Sequence, residues 1–251
     1  MKKTLIALFM SLLILTAAGA LAEPLLLRED LAGELVFPFD ESNPSAGSFV
    51  YTYAYPQADE SDPRADLINV FYRYLASDAE NFSAPILADF FRGEGISETF
   101  SVTYQVTCSN EEYFSVLMHT TEAAEGQPPL VTYEGHVFSL LHGTLGSTYT
   151  LPEMVGILAV AENDDWLQSR QAQRMNELIR GLVWDRLQEA AASGAVLPDE
   201  EAFSSGFFPE QDFYLDETGE PVFFLQPGMT GSDGDEPTCF RITMEEIRDE
   251  M

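Results

Sequence analysis

Residues 100–108 read Phe100-Ser101-Val102-Thr103-Tyr104-Gln105-Val106-Thr107-Cys108. Apolar side chains alternate with hydroxyl and amide side chains throughout. That period of two belongs to a β-strand, where successive side chains point to opposite faces. One face carries Phe100, Val102, Tyr104, Val106 and Cys108; the other carries Ser101, Thr103, Gln105 and Thr107. A strand of this kind suits an antiparallel sheet with one packed face and one wet face. Ser109-Asn110-Glu111 supplies a turn. Tyr113–Thr121 then returns as the partner strand, with Phe114, Val116 and Met118 on one face. After a loop, Glu122–Pro129, a third strand runs over Leu130–Leu141 and ends in the turn 142–146. Residues 149–157 read as a short strand and one helical turn.

Upstream, Phe49, Tyr51, Tyr53 and Tyr55 alternate with Val50, Thr52 and Ala54, and Pro56 ends the strand. Such an aromatic stripe is either a sugar-stacking platform or core beneath a helix, and core is the favoured reading. Residues 23–45, rich in Pro, Gly and acids, form a lead-in with at most a short strand near Glu34–Phe37. Asp62-Pro63 starts a helix, an N-cap acid followed by proline in the first turn. Leu67, Ile68, Phe71, Tyr72 and Leu75 give it one apolar face, and it fades by Asp78–Asn81.

Downstream, 163–193 reads as a long helix, capped by Asn163 or Asp164 and stopped by Gly194 and Pro198. Leu167, Met175, Leu178, Ile179, Leu182, Val183 and Leu187 line its apolar face. Arg170, Arg174, Arg180 and Arg186 on the same helix are read as ion-pair partners of acids such as Glu177 and Asp185 rather than as an anion-binding ridge. The end is a hairpin, Phe213–Leu215 and Val222–Gln226 around Asp216-Glu217-Thr218-Gly219, then a strand Thr238–Thr243 and a helical turn Met244–Asp249. The order predicts an α+β fold: an antiparallel sheet with one medium and one long helix packed on one face.

Composition narrows the function. The chain has 251 residues, 45% of them hydrophobic and 12% aromatic, so a packed core is within reach. Lys+Arg total 12 against 42 Asp+Glu, a net charge of −30. Phosphate backbones would repel such a chain, which excludes nucleic acid as a partner, and anionic lipid is disfavoured for the same reason. Residues 1–22 have the form of a secretory signal peptide: Lys2 and Lys3, an apolar run, then Ala20-Leu21-Ala22 before Glu23, with cleavage expected between Ala22 and Glu23. Cleavage removes both lysines, so the mature chain carries 42 acids against 10 arginines, −32 net. Schiff-base, Ser-Lys and P-loop chemistry then have no lysine to use. No further apolar stretch is long enough to span a bilayer, so the mature chain is expected to be extracytoplasmic without a membrane segment.

Cys108 and Cys239 are the two cysteines. In an exported chain they either form a disulfide or remain unpaired thiols on separate strands. The bond would close a 131-residue loop and add about 4–5 kcal/mol in the chain-entropy model.

Reactive clusters do not emerge. His119, His136 and His142 lack HExxH or paired-cysteine spacing, so no metal site is expected. No G-x-S-x-G elbow or Ser-His-Asp order appears, and neither cysteine has an activating base nearby in sequence. No catalytic residue and no cofactor is assigned. With so many acids, a chance carboxylate pair carries little weight, although an acid-pair envelope hydrolase is the alternative it allows. The acidic turns 216–220 and 233–236 do not match an EF-hand loop; a calcium-dependent structural protein is the third reading.

Several landmarks bear a resemblance. Tyr55-Pro56-Gln57 leading into a helix with Asn69, together with Phe100-Ser101-Val102, Val137-Phe138-Ser139 through Gly146 and Thr150-Leu151-Pro152-Glu153-Met154, occur in order. Phe213-Tyr214-Leu215, Val222-Phe223-Phe224-Leu225-Gln226-Pro227 and Phe240-Arg241-Ile242-Thr243 before Glu245-Glu246-Ile247 close the chain. This order resembles the extracellular region of RsiV-type anti-sigma factors and PdaC-type peptidoglycan deacetylases, including their shared C-terminal domain of unknown function. It covers roughly 46–250. Where those relatives carry a Gly-Gly-Ala-His type loop, this chain has Ala124-Glu125-Gly126-Gln127-Pro128-Pro129. The deacetylases keep catalysis in a separate metal-dependent domain, which nothing here matches.

After the signal peptide 1–22 and the lead-in 23–45, the resemblance implies an N-terminal part 46–97 and a C-terminal domain 98–250. It implies a secreted, non-catalytic binding module of the bacterial cell envelope. The expected ligand is wall glycan (peptidoglycan) or a cationic protein such as lysozyme. Gln226, Pro227, Gly228, Met229 and Thr230 are the expected contact loop.

Overall fold

The computed structural model describes residues 24–141, 154, 165–230 and 234–250. The cleavage site Ala22–Glu23, the turn at His142, the segment 149–153 with 155–157, and the helix caps Asn163 and Asp164 lie outside the described residues. The fold is α+β. Among the described residues, eight strands form two sheets, β1-β2-β3-β4-β5 and β6-β7-β8 in spatial order. The first comprises β1 (Leu31–Pro38), β2 (Ser48–Tyr55), β3 (Glu98–Ser109), β4 (Tyr113–Ala124) and β5 (Leu130–Ser139). The second comprises β6 (Phe213–Leu215), β7 (Pro221–Leu225) and β8 (Thr238–Arg241). The helices are α1 (Ala65–Asp78), α2 (Ala84–Glu94), α3 (Asp165–Ala192), α4 (Glu200–Gly206) and α5 (Met244–Glu250).

The expected single antiparallel sheet is thus two sheets, and one pairing is parallel. β2 and β3 run in the same direction, with Phe49 opposite Glu98 and Tyr53 opposite Val102. The helical connection between them carries the chain back to its starting end, the usual consequence of a βαβ crossover. The lead-in is also more ordered than its Pro and Gly content suggests. β1 pairs with the whole of β2, from Leu31–Tyr55 to Pro38–Ser48.

The first helix does not end near Asn81. It widens into a π-turn over Ala79–Ser83 and resumes as α2. Pro85 in the first turn of α2 explains the change, because it offers no N–H to the preceding turn and crowds it. α2 ends at Gly95, whose φ of 69° is left-handed and open to glycine.

Helices α1 and α2 cover one face of the first sheet. The aromatic stripe Phe49, Tyr51, Tyr53 and Tyr55 lies wholly beneath them as core, joined by Ile68, Tyr72, Phe114, Val116 and Phe138. Burying one such ring fully is worth about 2–3 kcal/mol. Asn69 is buried in the same layer. Its Oδ1 accepts from the Ala58 amide at 2.8 Å and its Nδ2 donates to the Ala58 carbonyl at 2.9 Å.

The long helix joins a separate core instead of lying beside α1. Met175, Ile179, Val183 and Leu187 of α3 pack with Phe203, Phe207, Phe213, Phe223 and Ile247. α4, unannounced by periodicity, is capped by Asp199, which accepts from the amides of Glu201 and Ala202. Two of the arginines of α3 are placed: Arg186 forms ion pairs, as expected, though with Glu189 and Glu246, and Arg180 donates to the Phe207 carbonyl.

The second sheet sits on the face of the first that is opposite α1 and α2. Two positions make close approach possible. At Gly135 a Cβ atom would overlap the Phe213 carbonyl. At Ser115, the buried hydroxyl accepts from the Leu215 amide at 3.0 Å. A bulge between Val106 and Cys108 changes the phase of β3 there. Cys108 therefore leaves the face of Phe100–Val106 and belongs to the second core.

Candidate functional site

The second sheet covers only one end of that face. Among the described residues, the rest is an open groove of about 600 Å³. Its floor comes from the wet side of the central strands: Thr103 and Gln105 of β3, Leu117, His119 and Thr121 of β4, Val131 and Tyr133 of β5. Tyr214 and Cys239 of the second sheet, with Asp235, Glu236 and Pro237, form its wall. A further recess continues past Gln105, Leu117 and Tyr214 to Asp216, Glu217, Thr218 and Arg241.

The groove has a defined aromatic side. Buried Phe224 lies between Tyr133 and Tyr214, with ring centroids 6.5 Å and 6.2 Å away. His119 faces Tyr133 at 5.1 Å. The Tyr133 hydroxyl donates to the Asp235 carbonyl at 3.1 Å and fixes the acidic loop against the wall. Burial raises the Tyr133 phenol, and Glu236, Asp235 and Cys239 add to the shift.

Acids stand at both ends. Asp235 and Glu236 flank one end; Asp216 and Glu217 flank the other. Arg241 belongs to Asp216, at 2.6 Å. Burial pushes the Asp216 carboxyl up, but hydrogen bonds from Thr218, the Glu220 amide and Arg241 outweigh it and leave it below its ordinary value. Its oxygens are thereby spent on closing the β6–β7 turn.

Reactive geometry does not accumulate in the groove. His119 Nδ1 lies 3.2 Å from the Thr103 hydroxyl, and among the described residues no carboxylate hydrogen-bonds the ring to orient it. Partial desolvation against the groove wall, with Glu236 beside it, raises the thiol of Cys239 although the residue is exposed, which makes it a weak nucleophile. The carboxyls that burial raises, Asp212 and Glu98, lie outside the groove. Among the described residues no group of three or more His, Cys, Asp or Glu could hold a metal ion; Asp233 falls outside them. The groove suits binding by stacking, hydrogen bonds and attraction for positive charge.

The residues singled out in the sequence are distributed differently. Gln226 is a brace: Oε1 accepts from the Tyr133 amide at 2.9 Å, and Nε2 donates to the Tyr133 carbonyl at 2.8 Å and to Asp212 at 3.2 Å. Met229 packs against the second core, Thr230 meets Thr238, and Gly228 is the exposed tip with φ of 78°. Pro227 is half-buried beside them. Cys108 and Cys239 do not form the disulfide their count allowed. Cys108 is buried in the second core, its thiol raised to about 11 by burial, with Asp216 adding to the shift, whereas Cys239 is exposed on β8. The Cys239 sulfur accepts from the Tyr214 hydroxyl at 3.9 Å. His136 is buried, with Nδ1 3.2 Å from the Tyr72 hydroxyl and Nε2 3.3 Å from Glu134. A proton on Nε2 satisfies both contacts.

Sequence reading missed the groove as a site. Its signal was the polar phase of β3 and β4, read as a solvated face.

Among the described residues, no helix is long and apolar enough to cross a membrane. No protein-family model matches the chain, and no curated protein does. Solved structures are similar in fold. One is the crystal structure of a DUF3298 family member from Bacteroides fragilis: 14% identity over 90% of this chain and 93% of that one, with a TM-score of 0.51. A DUF3298 family protein from Pseudomonas aeruginosa is similar at 11% identity, over 90% and 94% of the two chains, with a TM-score of 0.46. The chain therefore shares a fold with a domain whose function is unknown.

Proposed function

We propose that the chain is an exported, non-catalytic binding module of the bacterial cell envelope, and that its ligand is a cationic protein of the lysozyme kind. The groove carries this reading. It is open enough for a protein loop, aromatic on one side and acidic at both ends, and the arginine that lines it, Arg241, is already paired. The excess of acids over the whole chain would steer a basic partner toward it. Two landmarks of the resemblance to RsiV-type and PdaC-type extracellular regions, Asn69 and Gln226, each clamp a backbone segment.

Wall glycan is the second reading, favoured by Tyr133 and Tyr214 standing beside Thr103, Gln105 and Thr121. Aromatic faces with nearby hydroxyls and amides suit a sugar.

The test is a parallel pull-down of residues 23–251 on lysozyme and on purified peptidoglycan at physiological salt. Retention on lysozyme that Tyr214→Ala and Glu236→Gln abolish supports the first reading; retention on peptidoglycan alone supports the second. Retention on neither, or release of soluble wall fragments, contradicts the module.

A further inference from the structure

Glu98 opens β3 in phase with Phe100 and Val102, so it lies on the face beneath the helices. Only 6% of it is exposed. Among the described residues, neither a hydrogen-bond donor nor a cation meets its carboxylate. Burial and then the neighbouring Glu122 raise its carboxyl. Glu122 shares the face, one step along: Glu98 stands opposite Ala124 and Phe100 opposite Glu122.

Both acids line a pocket of about 220 Å³ between the end of α2 and the β4–β5 loop. Phe91, Ile96 and Leu130 give it an apolar collar, and Gln127 stands at its rim. A buried carboxylate without a partner is costly, and a second carboxylate beside it adds to the cost. The arrangement is completed by positive charge. Calcium takes six to eight oxygens, more than two carboxylates and one amide supply. An ammonium on a methylene stem fits better. Its three N–H groups suit the carboxylates and the Gln127 carbonyl, and its stem suits the collar.

We propose that this pocket seats the ammonium end of a lysine side chain from a partner polypeptide. The pocket and the groove lie on opposite faces of the first sheet, so either can fail without the other.

The test is titration of residues 23–251 with Nα-acetyl-lysine methylamide, its Nε-acetylated analogue and pentylamine. The lysine compound should bind saturably, and Nε-acetylation should weaken it roughly tenfold or more. Glu98→Gln should weaken it as much. That variant keeps the side chain's shape and removes a buried charge, so the fold is not endangered. Glu217→Gln and Tyr214→Ala should leave binding unchanged. Pentylamine binding equal to the lysine compound supports the ammonium pocket and makes a free amine its source. Equal binding of the acetylated analogue, no effect of Glu98→Gln, or no saturable binding would overturn the proposal. So would calcium binding that Glu98→Gln abolishes, since the site would then take a divalent ion.

Discussion

Gln226 holds Tyr133 by both backbone polar groups of that residue, accepting from its amide at 2.9 Å and donating to its carbonyl at 2.8 Å. Tyr133 lies on β5, the outer strand of the first sheet, and Gln226 follows β7 of the second. One side-chain amide thus acts as a strand partner at that edge and ties the two sheets beside the groove. Gln226→Ala leaves the Tyr133 groups and Asp212 without this partner. It should cost about 2–4 kcal/mol in urea unfolding. A loss within ±0.5 kcal/mol, the ordinary range for a surface change, would show that the brace is incidental.

Asn69 makes the equivalent grip on Ala58 inside the first core. Asn69→Asp keeps the acceptor, loses the donor and buries a charge, so it should destabilise more than Asn69→Ala. Thermal unfolding of the two variants, side by side at neutral pH, checks the order.

Asp212 gives the pH dependence. Burial pushes its carboxyl from 3.8 up to about 6, against hydrogen bonds from the Phe208 amide and Gln226. The folded state therefore holds this proton more tightly than the unfolded one. The resulting stabilisation is full below pH 4 and is lost as pH rises through about 6, by roughly 3 kcal/mol at most. Asp212→Asn should flatten the stability curve between those values. A variant curve parallel to that of the wild type would locate the titration elsewhere.

Glycine substitutions separate close approach from open helix. Gly135→Ala would drive a methyl into the Phe213 carbonyl and push the sheets apart, costing more than about 3 kcal/mol. Gly181→Ala, in the interior of α3 with open space around it, should stabilise by about 0.5–1 kcal/mol.

The two thiols should differ in reactivity. Cys239 is exposed and Cys108 buried, so a thiol reagent should modify Cys239 in the native protein and Cys108 only on unfolding. An intact mass lighter by two hydrogens would instead report the disulfide.

Much of this architecture can be read locally. The alternation at 100–106 gave β3, and the stripe at 49–55 gave β2 and its core role. What escaped depends on contacts distant in sequence. The apolar period fades by Asp78–Asn81, yet the chain there only widens into a π-turn ahead of Pro85 and resumes as a helix. β1 hides among Gly33, Pro38 and acids because its partner β2 defines it. The bulge before Cys108 breaks the period of two at a single step, so the sequence put that residue on the wrong face. Gln226 was visible as a polar residue in a turn-rich loop, yet its partner is on another sheet. Glu98 fits the apolar phase of β3, and a charge in that phase was the overlooked signal.

Recognition of a basic protein by the acidic, aromatic groove, without chemistry, requires more than attraction between net charges. Calorimetric titration of residues 23–251 with lysozyme, at physiological salt and again at about 0.3 M, where screening is strong, tests it most directly. The account predicts saturable binding that survives the higher salt and falls with Tyr214→Ala. Heat that vanishes at the higher salt, or binding indifferent to Tyr214, would contradict it.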